Sequence, residues 1–242
     1  MFKKINNEEK AEELGRIKIL TKKYPEVFPK IHLLGQDNYL MDFIDGQTFF
    51  ELNDKEKIKK IGMAAETLSS LWDTQEFTNE DIRQKIKKSF LRYRKKSGKY
   101  FELDELDEVN LDSFVQTPNI ISHNDLNAAN LIYTKDSIKI IDPSEEGYED
   151  VARDIGRYCA STFFNQYDYF GNNKKLSIEI AEAFLQRFNS EHLERARYYI
   201  GESFLSFLNF DTISTPKSVL KKLCINVLNS DAQIIKCLEN SL

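Results

Sequence analysis

The sequence predicts an α+β fold of two unequal lobes, a small opening unit that contains strands and a larger, mostly helical remainder. Three observations predict it. Short apolar runs of β type occupy the first 45 residues on either side of one helical stretch. Apolar residues at helical spacing dominate from Asn53 to Lys96 and again from Glu149 to the end. Between these tracts, residues 120–142 form a second island of short β-type runs separated by polar turns.

The elements follow in order. Residues 1–6, with FKKI at their centre, read as a strand, and from Asn7 to about Tyr24 the spacing of Leu14, Ile17 and Leu20 predicts a helix that Pro25 and Pro29 stop. KIHLLG at 30–35 and NYLMDFI at 38–44, divided by Gln36-Asp37, have the pattern of a β-hairpin. The hairpin leads to a break at Asp45-Gly46-Gln47, which divides the chain into residues 1–45 and 46–242.

In the second part, Asn53 with Glu56 three residues on is a capping-box signature. Behind it Ile58, Ile61, Ala65, Leu68 and Leu71 hold helical spacing to about Gln75. A second helix is expected from Asn79 to Lys96, ending near Gly98, while Phe101–Asp112 reads as loop or short helices. NIIS, LIYT and SIKII are three β-type runs, with Lys135-Asp136 as a hairpin tip. From Glu149 onward the pattern is helical, with Ile178, Ala181, Leu185 and Phe188 on one stripe and Ile200, Phe204, Phe207 and Leu208 on another, both read as core. No internal repeat interrupts this plan.

Composition narrows the function classes. A chain of 242 residues with 41% hydrophobic and 30% charged content can bury a substantial core. No apolar stretch approaches the roughly 20 residues needed to cross a bilayer, and the first ten residues lack a secretory core, so a cytoplasmic protein with no membrane partner is expected. Cys159, Cys224 and Cys237 are far apart and without metal-ligand spacing, and read as buried, reduced thiols. The net charge of −5 opposes nucleic acid as a partner, and the lysine pairs at 59–60, 87–88 and 95–96 read as solvated helix faces.

The chemistry concentrates in ISHNDLNAANLIYTKDSIKIIDPS. It contains H-x-D-x-x-x-x-N, with Asn130 five residues after Asp125 and Asp142 a further twelve on, at the end of SIKII. That is the order of a kinase catalytic loop followed by a metal-binding aspartate. Phosphoryl transfer needs metal ions bridging the phosphates and a carboxylate to orient the attacking hydroxyl and accept its proton. Asp125, Asn130 and Asp142 supply residues of the right types, and their hard oxygens suit Mg²⁺.

The segment resembles the catalytic motif of the aminoglycoside phosphotransferase and choline kinase-like family, within the protein-kinase-like superfamily, and also its fructosamine and methylthioribose kinase branches. The resemblance runs along the whole chain in order and is strongest at 120–157. It implies a protein-kinase-like two-lobed fold with a truncated N-lobe and a helical C-lobe. It also implies a kinase that uses ATP or GTP with Mg²⁺ to phosphorylate a hydroxyl of a small metabolite, such as a sugar, amino alcohol or aminoglycoside-like compound. Asp125 would be the base, His123 the residue that shapes the loop, Asn130 and Asp142 the metal ligands, and Asp154 the brace from the following helix.

By the same resemblance, FKKI matches the strand that carries a phosphate-contacting lysine, making Lys3 the candidate, and EELGRIKIL matches its partner helix. Glu13 would be the ion-pair glutamate, since Ile17 and Leu20 share its helical face. MDFIDG resembles the hinge, where backbone groups of Asp42 and Ile44 would bond the adenine edge, Met41 would close the back, and Ile132 and Ile141 would form an apolar floor.

Three departures accompany the resemblance. The two strands and glycine-rich loop that would precede Lys3 are not in the sequence, so an upstream segment or a partner is expected to complete the N-lobe. The other reading of that departure is a non-catalytic nucleotide-binding or interaction module. Asn124 stands where glycine is usual between His and Asp, and Pro143-Ser144 follow the metal aspartate. Beyond Asp142, Glu145, Glu146, Glu149 and Asp150 are either an exposed acidic loop or an attraction for a cationic acceptor.

Overall fold

The computed structural model describes residues 2–4, 9–34, 38–73, 78–100, 111–143, 148–168, 173–210, 213–230 and 233–242. Strands β1 (Phe2–Lys4), β2 (Ile31–Leu33) and β3 (Asn38–Met41) form an antiparallel sheet in the order β1-β3-β2. Helix α1 (Glu9–Lys23) joins β1 to β2. Its Ile17 packs on Tyr39 of β3, with Ile31 and Met41 beside them. Pro25 follows in the turn that ends the helix, since proline cannot donate to the helical ladder. The α1 end and this turn reach into the main core through Leu20, Tyr24, Val27 and Phe28. The Ile140 amide donates to the Val27 carbonyl, tying the turn to the later hairpin.

A second sheet, order β4-β7-β8, pairs Gln47–Thr48 (β4) with Leu131–Tyr133 (β7) and that in turn with Ile138–Ile140 (β8). Leu131, Tyr133, Ile138 and Ile140 are buried by strict alternation, and the hairpin turns at Lys135-Asp136 as its sequence predicts. Gly46 permits the crossing into β4, because a Cβ there would lie 2.8 Å from both the Ile132 side chain and the Tyr133 carbonyl. The third sheet is β5 (Thr78–Glu80), β6 (Thr117–Ile121) and β9 (Tyr148–Glu149), in the order β5-β6-β9.

Two sequence expectations change here. Asn79 lies in β5, not in a helix, because Thr78-Asn79-Glu80 pairs with β6; the helix α3 (Arg83–Ser97) starts later, where Asp81 accepts from the Arg83 amide. In α2 (Asp54–Asp73) the Asn53–Glu56 capping box forms in both directions, but Ile58 is 38% exposed. The buried place goes to Lys57, whose ammonium donates to Gln166 Oε1 at 2.9 Å.

The remaining helices are α4 (Val151–Asp168), α5 (Lys174–Leu185), α6 (Ser190–Phe207), α7 (Lys217–Asn229) and α8 (Ile234–Ser241). They build one core in which α4 is covered on nearly every side. Gly156 lets α4 touch α6, since a Cβ there would lie 2.5 Å from Tyr199 Cβ and 2.8 Å from the Ala196 carbonyl. Cys159, Cys224 and Cys237 are all buried thiols outside any disulfide, and no described helix is long and apolar enough to cross a membrane. Asp150 leaves the acidic cluster: it is buried against the Arg195 guanidinium at 3.1 Å. Glu145 and Glu146 lie outside the described residues.

Candidate active site

Residues 122–130 form the loop between β6 and β7, and it is held from behind by Asp154 in the first turn of α4. One carboxylate oxygen accepts the His123 amide and the other the Asn124 amide, each at 2.8 Å. Burial pushes the Asp154 carboxyl up from its ordinary value, and these two hydrogen bonds and His123 work against that shift. Asn124 takes a left-handed backbone with φ 63°. Glycine enters that region without penalty and asparagine is among the few other residues that tolerate it, which accounts for the departure noted in the motif.

The His123 ring closes the loop onto β8. Its Nε2 donates to the Ile141 carbonyl at 2.8 Å, which fixes the tautomer, and Nδ1 accepts the Asp125 amide at 3.3 Å. Asn130 is tied in from the other side, its Nδ2 donating to the Asp125 carbonyl at 3.0 Å and its own carbonyl accepting the Ile141 amide at 2.9 Å. Asp142 therefore follows directly on a residue bonded to Asn130. Its backbone is also left-handed, φ 58°, and the residue is exposed. Because the Asn130 amide nitrogen is already engaged, its side-chain oxygen is the atom left for a cation. Among the described residues no group of three or more His, Cys, Asp or Glu could hold a metal. Asn130 and Asp142 carry oxygen donors of the chemistry that suits magnesium.

The Asp125 side chain is 58% exposed, and Arg157 of α4 holds it: Nη1 donates to Oδ1 at 2.8 Å and to the Asn124 carbonyl at 2.8 Å. Sequence reasoning missed Arg157. Its place three residues after Asp154, hence on the same helix face, was the available signal.

The residues that the resemblance assigns to a hinge lie on the strand side. Asp42 donates its amide to the Lys30 carbonyl, so it offers a carbonyl, and its side chain meets His32 at 2.7 Å. Met41 is half-buried in the first sheet's cluster, and Ile44, Ile132 and Ile141 are half-buried. The backbone sets Lys3 opposite Tyr39 in the β1–β3 register and Glu13 within α1; their side chains lie outside the described residues.

A cavity of about 460 Å³ opens beside the loop, lined by Asp125, Asn127 and Arg157, by Ser161 and Phe164 of α4, and by Glu202 and Phe207 of α6. Phe207, counted as core from its helical stripe, packs against the core and is also a cavity wall, stacked on Phe164 with ring centroids 5.0 Å apart. Ser161 also anchors the loop by accepting the Ala128 amide at 2.9 Å.

A model of the phosphotransferase enzyme family matches residues 4–199. No curated protein matches the chain. Among solved structures, the streptomycin-ATP-APH(2")-IIa ternary complex superposes with a TM-score of 0.57 at 15% identity, covering 86% of this chain and 78% of that one. A glucosamine kinase in complex with glucosamine, ADP and inorganic phosphate gives 0.54 at 10% identity, covering 94% and 66%. Plasmodium vivax ethanolamine kinase gives 0.49 at 19% identity, covering 99% and 73%. The chain thus spans between two thirds and about four fifths of the length of these structures. The first two likenesses show a protein-kinase-like fold, with the small sheet lobe that the sequence predicts.

Proposed function

The chain belongs to the phosphotransferase enzyme family, and on that premise we propose that it is a kinase moving the γ-phosphate of ATP or GTP to a hydroxyl of a small polar metabolite. One observation supports this most: the loop is locked so that Asp125 stands at a cavity of acceptor size. With Oδ1 held by Arg157, Oδ2 is the oxygen that orients the acceptor hydroxyl and takes its proton. Asn130 and Asp142 would hold Mg²⁺, which would supply positive charge against the phosphoryl group.

The nucleotide falls on the strand side. The Asp42 carbonyl and the Ile44 amide are the groups for the adenine edge, Met41 closes the back, and Ile132 with Ile141 form the floor. Lys3, steadied by Glu13, is assigned to the phosphates. The acceptor is a hydroxylated metabolite entering from the α4–α6 side.

The test is ADP release by the purified chain with ATP and Mg²⁺ across a panel of sugars, amino alcohols and aminoglycosides. At least one acceptor should give turnover that Asp125→Asn reduces by about 10²- to 10⁴-fold while nucleotide-dependent thermal stabilisation persists. Stabilisation by nucleotide with no turnover across the panel would leave a binding module instead.

A further inference from the structure

We propose that the outer face of α3 docks on an anionic membrane surface, a peripheral contact independent of the kinase reading. It replaces the expectation of no membrane partner, which rested on the lack of a spanning segment. Helix α3 carries eight basic and no acidic residues in fifteen, on a chain whose net charge is −5.

Helix preference does not account for that content. Arg94, Lys95 and Lys96 in the last turn suit the negative end of the helix dipole, but Arg83 and Lys85 in the first turn oppose it. Packing does not account for it either. Ile86, Phe90 and Ser97 mark the buried face, while Lys87, Lys88, Arg92, Lys95 and Lys96 are exposed. The lysine pairs at 87–88 and 95–96, read from the sequence as solvated faces, thus lie along one helix. None of these four lysines has an ion pair among the described residues.

Leu91 stands among them. It is 50% exposed, belongs to neither apolar cluster of the fold, and has Lys87, Lys88 and Lys95 as its i−4, i−3 and i+4 neighbours. On an anionic bilayer the lysines meet the headgroups while the leucine enters the boundary with the acyl chains. Each lysine near such a surface strengthens partitioning about fivefold, so four give about 10²- to 10³-fold over a neutral bilayer. Acidic residues more than about 8–10 Å from this face are screened at physiological salt, so the local charge decides. Nucleic acid would meet the same cations, but the face lacks an exposed ring for bases: Phe90 is buried, and Tyr93 is half-buried and lines the cavity.

The test is co-sedimentation with vesicles of phosphatidylcholine, alone or with about 30% phosphatidylserine, at about 0.1 M salt. The chain should bind the anionic vesicles at least about tenfold more tightly than the neutral ones, and release them at about 0.5 M salt. The triple variant Lys87→Glu, Lys88→Glu, Lys95→Glu should lose at least about 10²-fold in partitioning with its melting temperature nearly unchanged. Leu91→Ser should weaken binding about three- to tenfold. Lys55→Glu with Lys59→Glu, on the exposed face of α2, should leave it unchanged. Failure to sediment, equal binding to neutral vesicles, or binding that survives the triple variant overturns the proposal. Retention of single-stranded RNA without vesicle binding also overturns it, and would make α3 a nucleic-acid face.

Discussion

Arg157 Nη1 lies 2.8 Å from Asp125 Oδ1 and 2.8 Å from the Asn124 carbonyl, so one guanidinium nitrogen joins the loop of residues 122–130 to α4. The carboxylate is over half exposed, which makes the pair worth only about 0.2–1 kcal/mol of stability. Its consequence is orientation. Arg157→Met should leave the melting temperature nearly unchanged but lower kcat at least about tenfold, with a smaller change in the acceptor KM. Arg157→Lys should recover part of the loss, since it restores the charge with one donor. Steady-state kinetics beside thermal melting separate this positioning role from a merely structural one.

Gly156 sits between Asp154 and Arg157, at the contact of α4 with α6. Gly156→Ala puts a methyl group 2.5 Å from Tyr199 Cβ and 2.8 Å from the Ala196 carbonyl. The backbone cannot yield as a flexible side chain would, so α4 must move. Denaturant unfolding should show a loss of about 1–3 kcal/mol. Because the helix carries the brace and the guanidinium, kcat should fall as well. An unchanged kcat would mean that the loop does not take its position from α4.

The cysteines give a pH-dependent expectation. Burial pushes the Cys159 thiol up to about 12 and raises Cys224 too. At pH 8 these thiols stay protonated, and thiolate is the reactive form. Native protein should therefore react slowly with a thiol reagent, and unfolded protein quickly. The folded state retains its thiol protons after the unfolded chain, with ordinary values near 9, has begun to lose them. Stability from this source is complete below pH 9 and is lost as pH rises toward 12.

What could be read from the sequence was what lies close together along it. His123, Asp125, Asn130, Asp142 and Asp154 fall within a short stretch, their spacing follows from one hairpin and one helix, and the Asn53–Glu56 cap is local in the same sense. The hidden features depend on partners far along the chain. Strand β5 is three polar residues that become a strand only by pairing with β6. Glu202, which lines the cavity, occurs within the apolar stripe of α6, and its partner Ser89 is 113 residues away. Arg157 gave a signal only through its register with Asp154, which became informative once the helix start was known. Phe207 shows that helical periodicity marks the inner face of a helix without saying that part of that face, packed against core, also borders a cavity.

Asn124 joins both kinds of evidence, and its substitutions can be ranked. The residue lies at φ 63°, its amide donates to Asp154, its carbonyl accepts from Arg157, and its side chain accepts the Ser122 hydroxyl at 2.6 Å. The two backbone contacts survive any substitution that keeps the left-handed conformation. Asn124→Gly keeps it without strain and loses the Ser122 bond. Asn124→Ala adds a left-handed penalty of about 1–2 kcal/mol, and Asn124→Val adds β-branching to that. The expected order of both kcat and melting temperature is Gly above Ala above Val. If Val retained the kcat of Gly, the left-handed turn would not be what sets Asp125 against Arg157.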